Sequence, residues 1–314
     1  MPDVDFDLLV LGDANPDLVM RGGEVEPAFG QAERIVEQAQ LTVGGSGAIF
    51  ACGAARLGLR VAFAGVVGDD LFGEFMRSEL ADHGVDTRGV VVDPHRPTGV
   101  TVVLSTVDDR AMLTAPGTIG DLRGDLIDPD LLTAARHVHV SAFFLQRGLA
   151  PDLPGLFATV REAGGTTSLD PNWDPGGAWD GGLMDLLSSV DVFLPNAMEA
   201  MRLARISDLD EALARLRMRA PLTVVKAGAD GAMAATTGEV IHIPGIPVRV
   251  VDTTGAGDSF DAGFLAGYLA GEPLERSLAL GNACGAMSSR VTGGTEGQPT
   301  LAEALEAIER GTAA

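Results

Sequence analysis

Short apolar runs alternate along most of the chain with longer stretches whose apolar positions recur at helical spacing. Residues 6–11 read as a buried strand, and 46–57 as a helix that Gly58 closes. Residues 61–67 give the next strand, followed by a helix over 70–83 stopped at Gly84. The strand pattern returns at 137–141, 166–170, 190–194 and 222–226, each time separated by helix-like sequence. Continuously apolar strands joined through helices imply an α/β fold, with a mostly parallel sheet and helices on both faces. Three helical stretches, 257–270, 274–290 and 300–310, end the chain.

Two segments break this rhythm. Residues 16–42 are polar, with Gly22-Gly23 and Gly30. Residues 98–114 alternate like a strand (Val100, Val102, Leu104) and run to Asp108-Asp109-Arg110. Neither carries a helix that would place it in a parallel sheet, so together they predict a small antiparallel sheet projecting from the main body. That sheet reads equally as a lid over a substrate or as a surface hairpin. With no internal repeat and no long linker, residues 1–314 read as one domain, with lid segments near 16–42 and 98–114.

Composition narrows the chemistry. A net charge of −22 and a pI near 4.4 exclude a nucleic-acid binder, which needs a basic face. If the ligand is a nucleotide, positive potential must come from backbone N–H groups, a metal ion or a few placed cations. Lys226 is the only lysine. Cys52 and Cys284 lie in helical patterns and read as buried free thiols rather than a disulfide. The start of the chain is acidic without a signal peptide, and no apolar run approaches ~18 residues, so the expectation is a cytoplasmic protein with no membrane partner.

The sharpest local signal lies between a β-type stretch at 246–251 and a helical pattern continuing over 263–268: Asp252-Thr253-Thr254-Gly255-Ala256-Gly257-Asp258. Two glycines around a small residue leave the backbone uncovered where a helix begins. Unpaired N–H groups and the positive helix end then make an anion site. Asp258, in the first turn, is placed either to cap the helix or to accept a proton from an attacking hydroxyl.

This segment, with Asp261-Ala262-Gly263-Phe264 after it, resembles the C-terminal signature of the ribokinase-like (PfkB) sugar and nucleoside kinases. Other matches follow in that family's order. They are Gly12-Asp13-Ala14-Asn15-Pro16-Asp17; Gly44-Gly45 leading into 54–58; 65–70 with Phe72-Gly73; Asp170-Pro171-Asn172; Asn196-Ala197-Met198-Glu199; 226–231; and Asn282. The resemblance spans roughly residues 6–308 and implies a three-layer α/β/α fold with a small β lid. It implies transfer of the γ-phosphate of ATP to a hydroxyl, a primary CH2OH, of a small sugar.

The resemblance also assigns roles. Asp258 is the general base, and the backbone of Gly255, Ala256 and Gly257 is the anion hole. Asn172, Asn196, Glu199, Lys226, Gly228, Gly231 and Asn282 belong to the nucleotide side, Glu199 reaching Mg2+ through water. Lys226 reads equally as a phosphate contact or a solvated rim residue. Asp252 and the Thr254 carbonyl match a K+ site. Asn15, Asp17, Gly44 and Gly45 hold the acceptor. Ile49 stands where sugar kinases of the family often carry a hydroxyl-binding Asn, so the substrate presents an apolar edge there or Ser46 compensates. A homodimer paired through the lid is implied as well. An Asp beside exposed amides titrates near ~3.9, so Asp258 is expected ionised without any raised pKa.

Four other readings compete. A dinucleotide-binding dehydrogenase would need a third glycine where Phe50 stands. A Walker-type nucleotidase would need G-x-x-x-x-G-K-[ST], which does not occur. A nucleoside kinase, or a silent sugar- or nucleotide-binding protein, stays open as the alternative.

Overall fold

The computed structural model describes residues 5–106 and 110–313; Asp108 and Asp109 of the lid pattern lie outside the described residues. The first half contains β1 (Leu8–Leu11), β2 (Asn15–Gly23), β3 (Val36–Gly44), α1 (Ser46–Arg56), β4 (Val61–Gly68), α2 (Leu71–Asp82), β5 (Asp86–Asp93), β6 (Val100–Ser105), β7 (Arg110–Ala115), α3 (Pro129–Thr133), β8 (His137–Val140) and α4 (Leu153–Glu162). The second half contains β9 (Thr166–Leu169), α5 (Leu183–Leu186), β10 (Val192–Phe193), α6 (Ala197–Ala204), α7 (Leu209–Leu216), β11 (Leu222–Lys226), β12 (Ala232–Ala235), β13 (Val240–Ile243), α8 (Ala256–Leu269), α9 (Leu274–Ser288) and α10 (Leu301–Arg310).

Nine strands form the central sheet in the order β13-β12-β11-β10-β9-β8-β1-β4-β5, parallel from β11 to β5 and antiparallel across β11–β12 and β12–β13. Along β1, Leu8 and Val10 enter one hydrophobic cluster with α1, α2, α8 and α9, while Leu9 and Leu11 enter the other with α4 and α7. All four are fully buried, as the period of two in a sheet covered on both faces requires. The chain leaves β1 for β4 on one side and later returns to β8 on the other, so the strand order reverses at β1. Ligand crevices form at such a point, at the carboxyl ends of the strands. Among the described residues, no helix is long and apolar enough to cross a membrane.

The two irregular segments do pair, as a four-stranded sheet in the order β3-β2-β6-β7. It is mixed rather than antiparallel: β2 and β6 run parallel, Asp17 opposite Thr101 through Arg21 opposite Ser105. Parallel pairing is possible because β2 and β6 are joined through β3, α1, β4, α2 and β5 rather than by a hairpin. A second correction concerns 246–251, which pairs with nothing as a strand. Pro247 has no N–H to give a ladder, and the segment runs extended along a cavity wall instead.

Candidate active site

The candidate site lies where the carboxyl ends of β1, β8, β9, β10 and β11 meet the start of α8. Gly255 is the residue before that helix, in the left-handed region at φ +70, and no side chain caps the helix. A Cβ there would stand 2.8 Å from both the Gly294 carbonyl and Ile49 Cγ2, so this turn admits only glycine. Helices α2, α6, α7 and α10, by contrast, are capped by Asp70, Asn196, Asp208 and Thr300. At this uncapped N-terminus Ala256 N donates to the Thr253 carbonyl at 3.2 Å, and the other first-turn amides, beside the cavity, are left to an anion.

Asp258 sits in the first turn of α8 and is half-buried. Burial pushes its carboxyl well above the usual range; the charges of Asp170 and Asp13 add to this, opposed by Lys226 and by a hydrogen bond from Ser46. The expectation of an unshifted carboxylate is therefore corrected: amides at a helix start do not offset desolvation among other carboxylates. Ser46 itself accepts a hydrogen bond from Asn172 Nδ2 at 2.7 Å. Asn172 adopts φ +52, and its backbone N–H donates to Asp170 Oδ1 at 2.7 Å. Asn172, expected on the nucleotide side, thus stands beside Ser46 and Asp170.

Lys226 is not a solvated rim residue but is tied down at the cavity's edge. Its ammonium donates to Asp170 Oδ2 at 2.7 Å and to Asp261 Oδ2 at 2.8 Å, with the lysine side chain 10 % exposed. Burial alone would lower its pKa, but Asp170, Asp261 and Glu199 raise it, so it stays charged. Burial likewise works against Asp170, but the Lys226 ammonium and its hydrogen bonds hold that carboxyl below the ordinary range. A Cβ on Gly257 would be 3.9 Å from Nζ, which places this charge directly behind the exposed amides.

Asn196 and Glu199 form a reciprocal cap on α6. Asn196 N donates to Glu199 Oε2 at 2.8 Å, Asn196 Nδ2 to Oε1 at 2.6 Å, and Glu199 N to Asn196 Oδ1 at 2.9 Å. Glu199 is buried, and burial with the Asp170 charge pushes it up to about 7 against the pull of Lys226. Among the described residues no cluster of three or more His, Cys, Asp or Glu could hold a metal alone.

On one side of the amides lies a cavity of about 450 Å³. Gly228, Gly231, Val250, Ala286 and Asn282 line it, and it reaches Ala256, Gly257 and Lys226. Asn282 Nδ2 donates to the carbonyls of Ile243 and Pro244, fixing one wall.

On the other side lie Asn15 and Asp17. A Cβ on Gly44 would overlap Asp17 Oδ1 at 2.2 Å, and one on Gly45, at φ +79, would meet Asn15 Oδ1 at 3.0 Å. Both glycines are needed to let these side chains close over the start of α1. Asn15 Oδ1 is buried with no hydrogen-bond partner. Burial pushes Asp17 up to about 7. Ile49 is buried, and its methyls pack beneath Gly255 and Gly294, where they support the glycine turn.

Sequence reasoning missed Asp13, whose Oδ1 accepts from Gly47 N at 3.0 Å, and Arg110, whose NH1 reaches Asp252 Oδ1 at 3.1 Å and Thr254 Oγ1 at 2.7 Å. The aspartate was visible within the first-strand motif. Nothing local marks the arginine, whose partners come from the far end of the chain.

The family model for pfkB family carbohydrate kinases matches residues 5–301. An ATP-dependent ribose-1-phosphate kinase of Halopiger xanaduensis is 34% identical over 299 residues, 92% of this chain and 93% of that one. A Klebsiella pneumoniae fructokinase is 36% identical over 274 residues, covering 82% and 88%. Among solved structures, Arabidopsis thaliana ribokinase complexed with ribose and ATP has a TM-score of 0.83 at 26% identity, covering 97% of this chain and 99% of that one. An Escherichia coli ribokinase II in complex with ATP and Mg2+ has a TM-score of 0.87 at 28% identity, with 97% and 99% covered.

Proposed function

The chain belongs to the pfkB family of carbohydrate kinases, phosphotransferases with an alcohol acceptor, and on that premise we propose that it moves the γ-phosphate of ATP onto a primary hydroxyl of a small sugar. The observation that carries this reading is the position of Asp258. Its carboxylate stands in the first turn of an uncapped helix whose start, Ala256 and Gly257, borders the cavity, within the field of Asp170, Lys226 and Asp13.

In this reading Asn15, Asp17 and the Gly44-Gly45 backbone hold the sugar hydroxyls. Asp258 accepts the proton as the acceptor oxygen attacks the γ-phosphorus. The bond to the β,γ-bridging oxygen breaks and ADP leaves. Amides of Gly255, Ala256 and Gly257, fixed by the turn, stabilise charge on the phosphoryl oxygens without reorganising. Lys226 adds its field from behind them rather than by contact. Gly228, Gly231 and Asn282 shape the base pocket. Asn196 and Glu199 stand at the phosphate end, where lone pairs of the Glu199 carboxylate fit water held by Mg2+, an ion that neutralises phosphate charge and keeps most of its waters. Asn172 acts through Ser46 on the base. A cytoplasmic location fits the two cysteines, both buried free thiols. Pairing through the lid is supported by Leu41, Met112 and Leu113, exposed on its two edge strands.

The test is product formation from ATP over a panel of ribose, fructose, ribose 1-phosphate, a 2-keto-3-deoxy sugar acid and adenosine, with phosphorylated product measured directly. We expect turnover with one of the sugars. Turnover confined to adenosine would replace the sugar by a nucleoside. ATP and acceptor binding with no product would leave a silent binding protein.

A further inference from the structure

The family resemblance places a monovalent cation at Asp252 and Thr254, and this chain's own residues do not fit one. The Asp252 carboxylate is already surrounded by donors. Oδ1 accepts from Thr254 N at 2.9 Å, Thr254 Oγ1 at 2.7 Å and Arg110 NH1 at 3.1 Å, and Oδ2 accepts from Gly293 N at 3.1 Å. Burial works against the Asp252 charge, but these hydrogen bonds and the arginine hold its carboxyl below the ordinary range. A cation entering here would meet a guanidinium in place, at like charge.

Arg110 opens β7 in the lid, 142 residues from Asp252 in sequence. Its side chain is 32% exposed and that of Asp252 13%, so the pair is part-sheltered. A second lid arginine makes the same crossing: Arg21 of β2 hydrogen-bonds Thr292 Oγ1, next to Gly293. Both arginines therefore reach from the lid sheet to the two loops that frame the glycine turn. Thr254 directly precedes Gly255, and Gly294 stands against it.

We infer that Arg110 is a positioning residue that takes the place of a monovalent cation, so that closing the lid itself sets the loop carrying the anion-hole amides. The inference rests on the kinase reading above. An ion in this place would fix the Asp252–Thr254 turn from solution whether the lid is open or closed. A guanidinium on β7 fixes it only when the lid sheet is down over the acceptor. Ordering of the amides is thereby coupled to enclosure of the substrate, which keeps a reactive phosphoryl group from water.

The experiment compares wild type, Arg110→Ala and Arg110→Lys in K+ and in Na+ at matched ionic strength, reading kcat, acceptor KM and the melting temperature of the ligand-free chain. Wild type is expected to show the same kcat and melting temperature in both salts. Arg110→Ala should lose about 10- to 100-fold in kcat, the scale of a misplaced catalytic group. K+ should then restore part of that loss and raise the melting temperature of this variant alone, by binding the vacated site. Arg110→Lys should recover part of the rate without K+. Potassium activation of the wild type would overturn the inference, as would an Arg110→Ala that raises acceptor KM with kcat intact, which would make the arginine a substrate contact. Absence of wild-type turnover on every acceptor would instead remove the kinase reading, leaving the melting comparison to judge the cation site.

Discussion

Asp258→Asn should bind ATP with near wild-type affinity and lose about 10²- to 10⁴-fold in kcat, the usual contribution of a positioned base. The substitution keeps size and polarity in the first turn of α8 and removes the group that takes the proton. In the proposed reading ATP lies along Gly228, Val250 and Ala286 and against Ala256 and Gly257, none of which the change touches. Loss in kcat with an unchanged nucleotide affinity marks an interaction made only in the transition state. Binding calorimetry with ATP alone and steady-state kinetics with the accepted sugar give the two halves of the result. Equal losses in both would assign Asp258 to nucleotide binding instead.

Lys226→Met should lower folding stability by about 3–5 kcal/mol, the cost of removing one partner from a buried ion pair. Asp170 and Asp261 would be left facing each other without a cation, and Asp261 Oδ1 is already buried with no partner. The loss carries a pH signature. In wild type the depressed pKa of Asp170 gives stability that is present above the unfolded value near ~3.9 and fades as pH falls through the folded value. In the variant, burial raises Asp170 as well, as it already raises Asp261 in wild type, so its stability falls as pH rises above ~3.9. The gap between the two proteins is therefore widest near neutral pH and narrows toward about pH 4. Chemical denaturation at several pH values measures it, and a constant small gap would show that the lysine contributes no net stability.

The glycine-rich turn was legible in the sequence because its requirements are local: a positive φ at Gly255 and a carboxylate three residues later are written in adjacent letters. The parallel sheet was legible for the same reason, through apolar runs such as β1 and β11, the latter found over its full span. Elements at or next to the sheet edges were not. Strand β5 is half-exposed and mixes Asp, Thr and Arg with valines, and β12 reads Ala-Met-Ala-Ala, which carries no β-branched signal. What joined the site together was illegible because it is long-range. The partners of Lys226 come from just past β9 and from α8, and Arg110 meets Asp252 across 142 residues of chain. Ile49 shows the limit of reasoning from one position. An apolar residue where a polar one was expected suggested a different substrate edge, yet its methyls fill the space under Gly255 and Gly294.

Whether Asp258 is the base is tested most directly by the pH dependence of kcat/KM in wild type and Ser46→Ala. An aspartate that must be ionised to accept a proton gives activity that rises with pH through its pKa, and burial puts that pKa above the ordinary ~3.9. Ser46 lowers it by hydrogen-bonding the ionised form, so Ser46→Ala should move the acid limb to higher pH while the alkaline side stays put. An acid limb that ignores Ser46, or activity level down to about pH 4, would contradict the assignment of Asp258.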